Sequence, residues 1–370
     1  MKLLAMDLFR TAIAMRSFEH AAASRQVAEA VVVRAEFDNG TQGWGECLPR
    51  PYVTGETLES VEADLERILW PAALSLDFSD TAALADLPRE AADGRCIHAA
   101  ACAVELAAID AGTLPRPNTK LATRVTGVLG SADPAKTLKR MRLMWWFGLR
   151  EFKLKLGLGD DVDRENLRLV KRYMGKALTA RQAELRVDVN GGWPIDDVPA
   201  RIDDLVPFHV RVVEQPTFCP PDVLATLARR CSLPLLADES LRTLDDARTL
   251  RDAPSMWFNV RICKNGGLTR AAEMIRAIGP ERGIVLGAMV GESGILSAAQ
   301  RRLLQLLGPA APRRVEGNYG RWLLHDDLTR PSPRFGYGGK LTSLKGPGLG
   351  VKIDPRKLER YGQLVKSLRK

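Results

Sequence analysis

No apolar run in this chain approaches the roughly 20 residues needed to cross a bilayer, and the opening segment MKLLAMDLFR is interrupted by Asp7 and Arg10 before a signal-peptide core can form. The expected location is the cytoplasm, with no membrane partner. The six cysteines (Cys47, Cys96, Cys102, Cys219, Cys231 and Cys263) contain no CxxC pair and mostly have apolar neighbours. That pattern suits buried thiols in a reducing compartment rather than a disulfide framework or a zinc site. Aromatics make up 6% of the residues and are not interleaved with a basic run, so the stacking platform of a nucleic-acid binder is missing. The dinucleotide fingerprint is missing as well. The glycine string GLGDD lacks its third glycine and carries acids where a pyrophosphate would sit.

What is present is enough for a large enzyme. A chain of 370 residues with 45% hydrophobic and 27% charged content can bury one full barrel core and a second, smaller unit. The formal net charge is +9, but the surplus is scattered and reads as solvated surface, part of it on a tail, KLERYGQLVKSLRK, with helical spacing.

Three regions are expected. Residues 1–118 read as an α+β unit: AMDLFRTAIAM, VAEAVVVRAEF and GWGECLP form an antiparallel meander with an Asp-Asn-Gly turn before the last strand. A helix follows Thr57, and the alanine-rich CIHAAACAVELAAIDA forms a second helix with little polar surface, to be buried at a domain junction. TLPRPNTK reads as a linker. Residues 119–338 alternate strand-like and helix-like segments, with strand candidates in RVTGVLG, EFKLKLG, ELRVDVN, VRVVEQP, PLLADES, WFNVRICK, GIVLGAM and RRVEGN. Repeats of roughly 25 to 35 residues favour a closed (β/α)8 barrel over an open doubly wound sheet. Residues 339–370 leave the barrel and return to the first unit. The fold class is thus α/β, a (β/α)8 barrel with an N-terminal α+β capping domain.

Asp188, Glu214 and Asp238 each stand at the C-terminal end of a short apolar run. Neighbouring parallel strands present those ends on one rim, where such barrels keep their active sites. Three carboxylates converging there supply oxygen ligands for a hard divalent cation, magnesium first and manganese as the alternative. Lys153 and Lys155 lie one residue apart in EFKLKLG, and Lys264 ends FNVRICK, so ammonium groups flank the acids. Singly, each acid also fits a helix cap or a salt bridge, and each lysine a solvated strand end. Their common placement at strand ends favours the joint reading.

With these residues in view the chain resembles the enolase superfamily, in its muconate-lactonizing-enzyme (muconate cycloisomerase) subgroup, over nearly the whole length. The resemblance rests on Lys153-Leu154-Lys155, Asp188-Val189-Asn190-Gly191-Gly192-Trp193, Glu214-Gln215-Pro216, Asp238-Glu239-Ser240 and Lys264-Asn265-Gly266-Gly267. It implies abstraction of a proton α to a carboxylate through an enediolate stabilised by magnesium. On that basis Asp188, Glu214 and Asp238 hold the metal, Lys155 is the base on one face with Lys153 beside it, and Lys264 is acid or base on the other. Two lysines one residue apart near a cation are expected to disfavour each other's charge. Asn190 reads either as part of the metal's surroundings or as an Asx turn. Glu239 would orient Lys264 or cap a helix, and Glu292 would lie near the substrate carboxylate.

The branches that use a His-Asp dyad fit poorly, because His20, His98, His209 and His325 stand at no suitable strand end. The Asp-x-Asp of dipeptide epimerases is replaced by Glu316-Gly317-Asn318. The expected activity is a muconate-cycloisomerase-like isomerase or lyase acting on a small-molecule carboxylate, in a homo-oligomer, with no nucleic-acid partner. The alternatives are o-succinylbenzoate synthase, N-acylamino-acid racemase and dipeptide epimerase, and, in another class, a non-catalytic barrel serving as a binding or scaffold protein. Specificity is expected from the segments Arg16–Arg25 and Arg50–Gly55, closing over the barrel mouth, and from the end of the eighth strand, where Asn318 is a candidate substrate-binding residue.

Overall fold

The structure is a computed structural model that describes residues 1–20, 23–114 and 120–370, without the side chains of residues 17–20 and 23–24. Part of the Arg16–Arg25 segment and most of the TLPRPNTK linker therefore lie outside the described residues. The N-terminal strands β1 (Leu3–His20), β2 (Ala23–Phe37) and β3 (Gln42–Cys47) pair antiparallel in sequence order. Short helices α1 (Leu58–Asp64), α2 (Trp70–Ser75) and α3 (Ala83–Asp86) lead to α4 (His98–Ala111). Thr57 caps α1 through a reciprocal pair with Ser60.

The alanine content of α4 has a packing reason. Gly43 and Gly45 of β3 lie against it so closely that a Cβ would fall 1.9 Å from the Ala107 carbonyl oxygen and 1.8 Å from that of Ala103. Only a glycine strand against an alanine helix permits that approach, and residues 98–109 of α4 are buried throughout.

The barrel follows. Its strands are β4 (Arg124–Val125), β5 (Gly127–Leu129), β6 (Glu151–Lys155), β7 (Glu184–Asp188), β8 (Val212–Glu214), β9 (Leu235–Ala237), β10 (Trp257–Val260), β11 (Gly283–Leu286) and β12 (Arg314–Val315). Adjacent strands pair in parallel around the ring, and β4 with β5, split only at Thr126, form one strand position: β4 pairs with β12 and β5 with β6. Eight positions thus close. The outer helices are α5 (Pro134–Trp146), α6 (Asp160–Thr179), α7 (Val198–Asp203), α8 (Pro221–Ala228), α9 (Leu244–Arg251), α10 (Leu268–Ile278) and α11 (Gly294–Leu307). Period-2 alternation turns Val212, Leu236 and Val285 inward as an apolar plug, so the barrel is a filled core, with Asp188 and Glu214 one step above Val212 toward the carboxyl rim.

A short ribbon, β13 (Thr329–Arg330) with β14 (Lys352–Ile353), precedes α12 (Pro355–Tyr361) and β15 (Gly362–Arg369), which pairs antiparallel with β1. The tail KLERYGQLVKSLRK is therefore helical only to Tyr361. Beyond it the open edge of β1 supplies backbone partners, which outweigh the helical spacing of the side chains. No described helix is long and apolar enough to cross a membrane.

Two buried carboxylates join the N-terminal sheet and α4 to the barrel by capping barrel helices. Glu46 of β3 accepts from Ser293 N (3.0 Å), Ser293 Oγ (2.8 Å) and Leu296 N (3.1 Å) at the start of α11. Glu105 of α4 accepts from Thr269 N (2.8 Å) and Thr269 Oγ (2.9 Å) at the start of α10, and pairs with Arg89. Helix N-termini favour negative charge. Because removing one partner leaves the Arg89 guanidinium buried and uncompensated, Glu105→Ala is expected to cost about 3–5 kcal/mol. Urea unfolding followed by circular dichroism measures it, and a loss within experimental error of zero would contradict the role.

Glu56 caps α4 in the same way, accepting from Ala99 N at 2.9 Å and Ala100 N at 3.2 Å. Burial pushes its carboxyl up to about 7. A folded-state value raised above the unfolded one contributes stability that is fully present below pH 4.5 and lost as pH rises through 7. Glu56→Gln is expected to flatten the decline in unfolding free energy between those pH values; an unchanged slope would show that Glu56 does not drive it.

Candidate active site

The carboxyl rim of the barrel opens into a cavity of about 730 Å3, lined by Lys153, Lys155, Asn190, Glu239, Arg261 and Glu292 from the barrel and by Arg16, Arg50, Tyr52 and Val53 from the N-terminal sheet and its following loop. Of the two segments expected to close the mouth, Arg50, Tyr52 and Val53 take part. So does Arg16, which donates to Trp322 O (3.1 Å).

Strand register explains which side chains meet. Lys155 pairs with Asp188, and Asp188 with Glu214, as neighbours on β6, β7 and β8. All of them point inward. Lys155 Nζ donates to Asp188 Oδ2 and Asn190 Oδ1, both at 2.7 Å. Burial alone would raise the Asp188 carboxyl, but Lys155 and Lys153 outweigh it and hold it well below the usual range. Lys153, one layer deeper, lies 3.1 Å from Asp188 Oδ2, 3.2 Å from Glu214 Oε1 and 2.7 Å from Glu316 Oε2. Burial opposes its charge, yet Glu214, Glu316 and Asp188 raise it above its ordinary value. The expectation that the paired lysines would weaken each other's charge is therefore corrected for Lys153, because the charges of Glu214, Glu316 and Asp188 outweigh burial and the Arg186 guanidinium. Its place beneath the rim makes it a counter-ion for the acids.

Asn190 sits with φ 47° in the left-handed region and joins the network through its side chain: Oδ1 accepts from Lys155 and Nδ2 donates to Glu239 Oε1 at 3.2 Å. The turn bond comes from Asp188 Oδ1, which accepts from Asn190 N (3.0 Å). Glu239 thus holds Asn190 and has no hydrogen bond to Lys264. Burial, then the Asp188 charge, pushes the Glu239 carboxyl up to about 7. Glu292 accepts from Met289 N at 2.6 Å, and burial pushes it up to about 8. Asn318 borders the cavity, and its amide is engaged by Arg301 Nε (2.9 Å) and by Gln300 of α11.

Lys264 is not brought to the cavity. It is fully buried, four residues past the end of β10, and its ammonium donates to Asp238 O (2.6 Å), Asp238 Oδ1 (2.8 Å) and Asn259 O (2.8 Å). Burial, then the Arg261 guanidinium, pushes it below its ordinary value. Three acceptors nevertheless use all three ammonium protons, so the geometry holds the charged form. The residue that follows Val260 directly, and lines the cavity, is Arg261. It contacts Asp238 Oδ2 and lies 4.0 Å from Glu214 Oε1. Sequence reading missed it by ending the strand at Lys264; the rule that functional groups sit at the strand terminus points to Arg261. Arg186 and Glu316 were missed too. Arg186 lies two residues before Asp188 on the same inward face, and its Nη2 reaches Glu316 Oε1 across the barrel at 2.9 Å. Lys153 and Arg186 hold Glu316 at about 2 against its burial.

Asp188, Glu214 and Asp238 are all 0% exposed. Among the described residues no three acid, histidine or cysteine side chains form a closed metal cage; lysine and arginine stand between the carboxylates. The donor set nevertheless fits a hard cation. Glu214 Oε2 is buried with no hydrogen-bond partner, the nearest cation being Arg186 Nη1 at 3.6 Å, and burial together with the Asp188 charge raises its carboxyl, a cost that a divalent ion would relieve.

A parallel barrel with acids and lysines on its carboxyl rim, under an antiparallel sheet with helices, is the architecture of the enolase-type enzymes. The chain belongs to that superfamily, in the muconate-lactonizing-enzyme subgroup: residues 136–357 match the family model "Enolase C-terminal domain-like", and residues 5–115 match "Mandelate racemase / muconate lactonizing enzyme, N-terminal domain". The chain is 28% identical over 383 residues to an L-Ala-D/L-Glu epimerase of Bacillus subtilis, covering 95% of this chain and 97% of that one. It is 28% identical over 355 residues to muconate cycloisomerase 1 of Rhodococcus opacus, covering 92% of each. Among solved structures, an N-succinyl Arg/Lys racemase from Bacillus cereus superimposes with a TM-score of 0.84 at 23% identity, covering both chains completely.

Proposed function

We propose that this chain abstracts a proton α to the carboxylate of a small anionic substrate, with Lys155 as the base. The observation that carries the reading is the position of Lys155 Nζ: on the cavity wall, fixed by Asp188 and Asn190, and one strand away from the first of three carboxylates. Asp188, Glu214 and Asp238 would hold magnesium, or manganese, as the superfamily resemblance implies. Such an ion supplies Lewis-acid stabilisation of the charge that develops on the substrate carboxylate.

The protein's own groups do the rest. Lys155 stands at the mouth with Asn190 orienting its Nζ, and Glu239 fixes Asn190. Lys153 and Arg186 balance the negative charge of Asp188, Glu214 and Glu316 beneath. Lys136, Lys139 and Arg140 of α5 line the cavity together with an aromatic cluster. In the latter Trp322 packs edge-on against Phe147 (4.8 Å) and Phe335 (4.5 Å). That combination suits a carboxylate with an apolar portion and a second anionic group.

The test is deuterium incorporation at the α-carbon, followed by NMR in D2O for a panel of dipeptides, N-succinyl amino acids and muconolactone. Exchange that depends on added MgCl2 and stops with a chelator is expected. No exchange from any member would remove proton abstraction as the function and favour the binding-protein alternative.

A further inference from the structure

We infer that Arg261 makes this a one-base site, in which a proton is taken from and returned to the α-carbon on the Lys155 face only, so that inversion of the α-centre is closed. The inference rests on the proton-abstraction reading and adds its stereochemical limit.

The barrel puts the two residues opposite one another. Lys155 ends β6, the second strand position of the ring, and Arg261 follows β10, the sixth; three positions separate them in either direction. Both line the cavity. The Arg261 side chain is 8% exposed, and one edge of it is committed: Nη2 contacts Asp238 Oδ2, and Nη1 lies 3.9 Å from Met289 Sδ. Its Nε is buried with no hydrogen-bond partner. A guanidinium presents donors only. Arg261 therefore has no lone pair with which to take a proton from carbon. The other basic group of this segment, Lys264, does not line the cavity and spends its ammonium on three protein oxygens at 2.6, 2.8 and 2.8 Å.

The reaction is limited accordingly. The α-proton passes to Lys155 Nζ, and the C–H electron pair passes into the carboxylate to give the enediolate. That species can take the same proton back from Nζ, which restores the starting configuration. It can also expel a β-substituent, which leaves with the electron pair as the α,β double bond forms. Either outcome balances with Lys155 alone. Two-sided transfer, which a racemase or epimerase needs, has no acceptor in Arg261. Elimination and its reverse, the addition that a cycloisomerase performs, remain open.

The test uses the full chain with MgCl2 in D2O and four probes: N-succinyl-L-arginine, N-succinyl-D-arginine, L-Ala-L-Glu and L-Ala-D-Glu. In each pair that reacts, the wild type is expected to label one configuration and to leave the other at least about 10²-fold slower, the scale set by a missing general base, with no interconversion. R261K places an amine on the opposite face and is expected to speed labelling of the slow configuration by about 10-fold or more. Comparable labelling of both configurations by the wild type overturns the inference and points to another acceptor, Glu292 first. Labelling that stays one-sided in a folded R261K removes Arg261 as the determinant. If R261K does not fold, the wild-type ratio decides alone. No labelling of any probe overturns the proton-abstraction reading itself, a result distinct from two-sided labelling.

Discussion

Lys155→Ala is expected to lower α-proton exchange by about 10²–10⁴-fold, the usual worth of a positioned general base, while the protein stays folded and still binds Mg2+. Lys155 contributes an inward ammonium at the end of β6 whose partners are Asp188 Oδ2 and Asn190 Oδ1, so its loss frees those acceptors toward the cavity, where water can reach them. It opens no gap in the apolar plug of Val212, Leu236 and Val285. Isotope incorporation by NMR measures the rate, and calorimetric titration with Mg2+ measures the binding. Exchange at the wild-type rate would show that the base is another group. Loss of both exchange and Mg2+ binding would show that Lys155 acts through the acids and not on the substrate.

Glu214→Gln carries the second large effect. Its Oε1 already accepts from Asn259 Nδ2 (2.8 Å) and Lys153 Nζ (3.2 Å), whereas Oε2 is buried without a hydrogen-bond partner. A divalent cation held by three carboxylates loses a third of its anionic ligand charge when one becomes an amide, and Mg2+ affinity is expected to fall by about 10²-fold or more. Isothermal titration calorimetry reads the change, with circular dichroism as the control for folding. Unchanged affinity would take Glu214 out of the metal site. Because Lys153 and Arg186 keep Glu316 as a partner, the substitution leaves each buried cation paired, so a collapse of the fold is not expected.

Much of the architecture was legible from local pattern. The eight barrel strands could be read because short apolar runs of strand length alternate with segments of helical period, and parallel pairing follows from that alternation. Lys155, Asp188, Glu214 and Asp238 could be placed on one rim, with Lys153 on the same inward face, for the same reason: alternate residues of a strand share a face, and the ends of neighbouring parallel strands coincide. The helix after Thr57 and the burial of the alanine-rich helix were equally local.

What the linear sequence left undecided were matters of register and of distant partners. Whether the sixth strand presents Arg261 or Lys264 depends on where β10 stops pairing, and Gly283–Leu286 of β11 fixes that end at Val260. The apolar run FNVRICK continues past it without a break. The tail after Tyr361 became a strand because β1 had a free edge nearby, which no spacing within the tail records. Glu316 balances Lys153 and Arg186 across the barrel from residues 163 and 130 positions away, and the Asn318 amide is engaged by Gln300 and Arg301 of α11. The sequence by itself thus determined the order of elements and which faces carry charge, because those follow from periodicities of two and 3.6 residues. Only the tertiary structure decided which charges meet, because hydrogen bonds and ion pairs act over a few ångströms between groups that the chain separates by a hundred residues or more.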